Sequence, residues 1–176
     1  MNKKALLYGL LYCALVIALK LYIILSGNMF SKFGFYYSII TCVFLIVPFF
    51  FMAIYHVREK DLGGYIESKE GFRVALTVLA VGLIGTSIYN YIEFNWQADN
   101  FASYYDSSEF LNILKAQQIK QPDKIKVGDF ARIIDEQKKS VPASAFKATT
   151  GKLIPLLFIG LTGAFAASII MKRSPK

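Results

Sequence analysis

Four apolar runs, each close to the length of a bilayer crossing, limit what this chain can become: residues 5–26, 35–55, 72–93 and 153–171. A helix needs about 20 residues to cross the hydrocarbon core, and in lipid its backbone must satisfy its own polar groups. Such runs therefore predict helices. The expected fold is all-α, a four-transmembrane-helix bundle with a small helical extramembrane insert between spans three and four. Residues 1–94 hold the first three spans, 95–151 the insert, and 152–176 the fourth span and a basic tail.

The first run is read as a retained span. It is long for the apolar region of a signal peptide, and no A-x-A site follows it. Leu11-Tyr12-Cys13 lacks the small residue a lipobox wants before its cysteine. Residues 27–34 form a turn-rich link, so spans one and two make an antiparallel hairpin. Pro48 lies inside span two and is expected to kink it.

Residues 56–71 form a charged loop in which Gly63-Gly64 signals a turn. Ser68 is the expected N-cap of span three, with Glu70 in the first turn. In the insert, Phe101, Tyr104, Tyr105, Leu111 and Leu114 recur at helical spacing, as do Val127, Phe130, Ile133, Ile134 and Gln137. Gln121-Pro122-Asp123 breaks the two. Residues 140–151 read as a loose return, which places Pro155 in the first turn of span four. Short loops between neighbours favour an up-down bundle.

Composition agrees with this layout. The chain is 55% hydrophobic and carries 20 Lys+Arg against 12 Asp+Glu, a net +8. Because the basic residues flank apolar runs, the excess points to a membrane and not to nucleic acid. Fifteen Phe and eleven Tyr against one Trp suit lipid-facing and interfacial positions. Cys13 and Cys42 both lie in apolar runs and read as small buried hydrophobes.

Lysine and arginine near span ends set orientation. Lys3, Lys4, Arg58, Lys60, Lys69, Arg73, Lys172, Arg173 and Lys176 fall on one side, against Lys32 and the insert. The expectation is a multi-pass protein of the bacterial inner membrane, both termini cytoplasmic and the insert 95–151 periplasmic.

Ionisable groups inside spans are functional hypotheses. Lys20 and Glu93 lie near the same end of spans one and three. Three readings stay open: Lys20 snorkels and Glu93 is wet, the two form a structural ion pair, or they serve transport. Ala75, Gly82, Thr86, Tyr89 and Glu93 fall on one stripe of span three. Gly160, Gly163, Ala164 and Ala167 form another on span four. Small residues let helices approach in lipid, either within one chain or against a partner or second copy.

Enzyme chemistry finds little support. A single histidine, His56, excludes a two-histidine zinc site or H-E-x-x-H. Glu59, Asp61, Glu67 and Glu70 alternate with Arg58, Lys60 and Lys69, which reads as a self-compensating solvated loop. No phosphate-binding loop is present, and no metal or other cofactor is expected.

The run Leu62-Gly63-Gly64-Tyr65-Ile66-Glu67-Ser68-Lys69-Glu70-Gly71-Phe72-Arg73-Val74-Ala75-Leu76 resembles the signature loop of a family of small bacterial membrane proteins, common in Bacteroidetes and known only as a domain of unknown function. The ending Ser168-Ile169-Ile170-Met171-Lys172-Arg173 is similar too. Glu67-Ser68 departs from the Ser-Phe frequent in that family. The resemblance implies four spans and an inner-membrane place, and no activity. The leading expectation is a non-enzymatic accessory or scaffold subunit of a cell-envelope complex. Its partners are the lipid bilayer and another membrane protein or a second copy, with no nucleic acid. The alternatives are a small transporter or lipid-handling protein, with Thr86, Tyr89, Glu93 and Lys20 lining its groove, and an accessory to a polyprenyl-phosphate glycosyltransferase.

Overall fold

The computed structural model describes residues 2–31, 44–121, 126–142 and 144–174. Among these the regular elements are helical: α1 (Lys3–Leu25), α2 (Ile46–Asp61), α3 (Ser68–Tyr104), α4 (Ser108–Lys120), a 3-10 turn (Val127–Asp129), α5 (Phe130–Ser140) and α6 (Ala145–Ile170). One isolated antiparallel bridge joins Ile66 to Arg173. The chain divides into two compact units, Met1–Tyr89 with Thr150–Lys176, and Asn90–Thr149.

Three described helices, not four, are long and apolar enough to cross a membrane. They are α1, α3 over Ser68–Phe101, and α6, and only 33%, 39% and 28% of their apolar windows is buried. A helix greasy on all sides and mostly uncovered by its own chain is built for lipid. α2 falls short because its 16 residues end in the charged HVREKD. Residues 32–43, which hold the start of the expected second span, lie outside the described residues. Pro48 sits in the first turn of α2 as described, where a missing N–H costs little.

Two boundaries differ from the sequence reading. α3 does not stop near Glu93 but continues to Tyr104. No glycine or proline interrupts residues 94–104, and Asn100 Nδ2 donates to Gln97 Oε1 at 2.6 Å, one turn back. α6 begins at Ala145, so much of the expected loose return is helix and Pro155 lies within the helix instead of in its first turn. The cause is a better start upstream: Ser144 Oγ accepts the Lys147 N–H at 3.3 Å and its carbonyl accepts that of Ala148 at 3.0 Å. Pro155 still deletes one backbone bond, on an exposed side of the helix. Ser68 is the first residue of α3 and not its cap.

The four described helices that contribute to the first unit run up, down, up and down. Tyr8 meets His56 and Tyr12 meets Phe49, so α1 and α2 run antiparallel. Gly9 meets Val81 and Cys13 meets Gly85, so α1 and α3 run parallel. Gly71 meets Ser168 and Leu79 meets Gly160, so α3 and α6 run antiparallel. Gly163 packs on Val47 and Phe50 of α2. The core these faces enclose includes Tyr12, Val16, Ile46, Phe50, Ala53, Val78, Ala164 and Ala167. Leu7, Leu10, Leu15 and Tyr22 of α1, with Phe158 and Phe165 of α6, point outward.

Candidate functional site

The seam between α1 and α3 is closed by small residues facing large ones. A Cβ added at Gly82 would lie 2.9 Å from Tyr12 Cδ1, and one at Gly85 would lie 2.5 Å from Cys13 Sγ. Gly9 answers from α1, where a Cβ would lie 2.7 Å from Val81 Cβ. The Cys13 thiol donates to the carbonyls of Val81 and Gly82 at 3.5 and 3.7 Å. Thr86 Oγ1 donates to the Gly82 carbonyl at 2.7 Å, so this hydroxyl is held by its own helix. Ala75 is wholly buried on the same stripe.

One turn beyond Thr86 the seam becomes ionic. Lys20, only 3% exposed, sets its Nζ 5.1 Å from the centroid of the Tyr89 ring. The ring's negative face stabilises an ammonium there. Lys20 is thus folded inward and does not extend to solvent. Glu93, the other member of the candidate polar pair, belongs to the second unit and is 7% exposed. The α6 stripe also faces inward: Gly160 abuts Leu79, Gly163 abuts Val47, and Ala164 and Ala167 are fully buried.

The end of this unit where α1 begins and α2 finishes is knitted by polar contacts. Gly63 and Gly64 have φ of 64° and 92°, the left-handed region that glycine enters without steric cost. That turn lets the Gly64 N–H reach the Arg58 carbonyl at 2.8 Å. Asp61 accepts from Lys4 Nζ and, at 3.2 Å, from Asn2 Nδ2. The Lys4 hydrogen bond, then that from Asn2, holds the Asp61 carboxyl below its ordinary range. Tyr8 Oη and His56 Nδ1 share a hydrogen bond of 3.1 Å.

Arg58 is the hub of this end. Its Nε donates to Glu59 Oε1 at 2.9 Å, its Nη1 donates to the Met171 carbonyl at 3.3 Å, and its guanidinium lies 5.4 Å from the Tyr55 ring centroid. Ile66 and Arg173 exchange two backbone hydrogen bonds of 3.0 Å. The charged loop and the segment after α6, similar in sequence to one family, are therefore physically joined. Residues 3–173 match the family described as "Protein of unknown function (DUF4199)". The chain belongs to the DUF4199 family. No curated protein and no solved structure matches it.

Sequence reading took the loop charges of this DUF4199 protein as solvated and self-compensating. Arg58 and Glu59 do pair locally, but Asp61 turns to α1 and Arg58 also reaches past α6. Partners so distant leave no local signal. The clustering of basic residues beside three run ends was the one available hint. Lys69 and Lys172, with Ser68, Ser174 and Glu67, line a cleft of about 290 Å³ at this end.

The second unit carries its own cleft, about 580 Å³, lined by Asp99, Ser103, Asp106, Lys138 and Val141. Lys138 Nζ lies 2.7 Å from Asp106 Oδ1. Nearby in sequence, Tyr105 packs edge to face with Tyr104 and with Phe110, the Tyr104 and Phe110 rings lie tilted to each other, and burial, then Glu109, pushes the Tyr104 phenol up. On α5, Arg132 bridges Asp129 and Glu136, and Lys139 pairs with Asp135. Among the described residues, no group of three His, Cys, Asp or Glu side chains is placed to hold a metal ion.

Proposed function

We propose that this DUF4199 chain is a four-span protein of the bacterial inner membrane that serves as a non-catalytic accessory or scaffold subunit of an envelope complex. The observation that carries this reading is the filled seam along α1, α3 and α6. Gly9, Gly82, Gly85 and Gly160 each face a side chain closer than a methyl group would allow. Helices locked this closely favour a fixed framework over a path for a moving substrate.

The fourth crossing is inferred from α2. It packs antiparallel to α1 and against Gly163 of α6, alongside helices of membrane length. The sequence just before it, residues 35–45, is itself apolar. Orientation with both termini cytoplasmic and residues 95–151 periplasmic rests on the basic residues gathered around Arg58, Lys69 and Lys172. The experiment is purification from native membranes in mild detergent, followed by mass spectrometry. A stoichiometric envelope protein supports the scaffold reading, and a chain that always purifies alone overturns it. Recovery in the supernatant after detergent-free lysis and ultracentrifugation overturns the membrane placement itself.

A further inference from the structure

Two stripes run side by side on the first unit, the one on α3 half-buried against the core and the one on α6 exposed. On α3, Lys69 stands one turn above Phe72 and two above Leu76. On α6, Phe165 and Ile169 lead up to Lys172 just past the helix end. The stripes touch where Phe72 meets Phe165 edge to face, ring centroids 6.2 Å apart. Phe165 and Ile169 are 59% and 51% exposed. At the head of the stripes, the Ile66–Arg173 bridge holds the segment after α6 against the start of α3. Lys69 and Lys172 thereby line one cleft with the hydroxyl-bearing Ser68 and Ser174. Neither lysine has an ion-pair partner among the described residues, whereas Lys4 and Arg58 at the same end are already engaged.

We propose that this cleft binds the phosphate of an anionic phospholipid, with an acyl chain lying along Phe72, Phe165 and Ile169. Among the lining residues two ammonium groups stand against the carboxylate of Glu67, Glu70 Oε2 beside it being taken up by the Glu67 N–H at 3.4 Å, and the two serine hydroxyls can donate to phosphate oxygens. The apolar stripe directly beneath is what selects a lipid over free phosphate. A lysine head on a greasy stripe matches the boundary between headgroup and hydrocarbon. The proposal rests on the membrane reading above and adds to it a headgroup class and a place.

The test uses the full-length chain in detergent, titrated with phosphatidylglycerol or phosphatidylcholine in mixed micelles and followed by native mass spectrometry and melting temperature. Phosphatidylglycerol is expected to bind preferentially and raise the melting temperature. K69Q/K172Q should bind it about thirtyfold more weakly, from the usual contribution of a lysine near an anionic headgroup. Its melting temperature without lipid should match the wild type; if it does not, K172Q alone, outside any helix, carries the comparison. R132Q/K139Q removes the same charge from the second unit and should bind as the wild type does. Undiminished binding by K69Q/K172Q, an equal loss in R132Q/K139Q, or full stabilisation by inorganic phosphate alone overturns the proposal. A chain that stays soluble without detergent fails earlier, at the membrane reading.

Discussion

Leu79 of α3 fills the place that any side chain on Gly160 of α6 would need, since a Cβ there would lie 2.3 Å from Leu79 Cδ1. Leu79 is itself buried, so it has little freedom to retreat. Gly160→Ala should therefore lower stability by about 1–3 kcal/mol, as overpacking does in a filled core. Gly163 is less confined, with Val47 Cγ2 at 3.3 Å and Phe50 Cε2 at 3.4 Å. Gly163→Ala should be the milder change, and Gly163→Leu should be severe. Thermal melts of the three variants in one detergent check the order, and equal melting of Gly160→Ala and wild type contradicts the packing.

Lys20 and Tyr89 should be energetically coupled. A desolvated cation over a ring is worth about 0.5–2 kcal/mol. Tyr89→Leu is expected to destabilise the wild type by more than it destabilises a Lys20→Met background, with the difference in that range. A double-mutant cycle on melting or denaturant midpoints measures it. Additive effects would mean that the ring only fills space.

Asp61 gives the charged end an acid-side dependence. Its carboxyl is held below the ordinary value by Lys4 and Asn2 in the folded chain. A depressed folded pKa contributes stability that is complete above the ordinary carboxylate range and lost as pH falls through the folded value. The melting temperature should fall below about pH 4, where aspartate begins to protonate. Asp61→Asn should melt slightly lower at neutral pH and show a flatter decline. Melts from pH 7 to pH 3 make the comparison; parallel curves would remove Asp61 from the account.

Gly64 adopts a φ of 92° in the turn that returns its N–H to Arg58. Gly64→Ala places a Cβ in that region at a cost of about 1–2 kcal/mol. Proteolysis within residues 60–68 is expected to rise, because the turn holds the loop closed. Limited digestion of wild type and variant in detergent reads this directly, and unchanged digestion would show the turn to be tolerant.

Orientation is open to a labelling test. Asn112 is exposed on α4, and Cys13 is buried. Asn112→Cys in a Cys42→Ser background should react with a membrane-impermeant maleimide supplied from the periplasm of intact cells with a permeabilised outer membrane. Reaction only after the inner membrane is opened would invert the proposed topology.

Much of the architecture was legible because lipid imposes it. Twenty apolar residues in a row admit few solutions: run 72–93 falls within a long helix, and runs 5–26 and 153–171 do so but for their last residue. The ends were not legible for the same reason. Hydropathy marks where lipid stops, not where the helix does, so α3 passes through the polar stretch after Glu93 and α6 begins before Leu153. Ser144 outcompeted Pro155 as a starting signal because its hydroxyl and carbonyl both receive N–H groups there. The stripe of Gly160, Gly163, Ala164 and Ala167 could be seen in sequence, but its direction could not. That depends on Leu79, Val47 and Phe50, which lie on other helices. The ring beneath Lys20 was hidden similarly, since nothing along α1 points to Tyr89.

The contact between Arg58 and the Met171 carbonyl joins positions 113 apart in the chain. A ribosome adding about 5–20 residues per second takes roughly 6–23 s to travel that distance. Through that interval the nascent protein holds a guanidinium whose eventual acceptor has not been made, and for part of it a face around Leu79 waits for its matching glycine, Gly160. The first helices and the contacts that complete them are therefore separated in time.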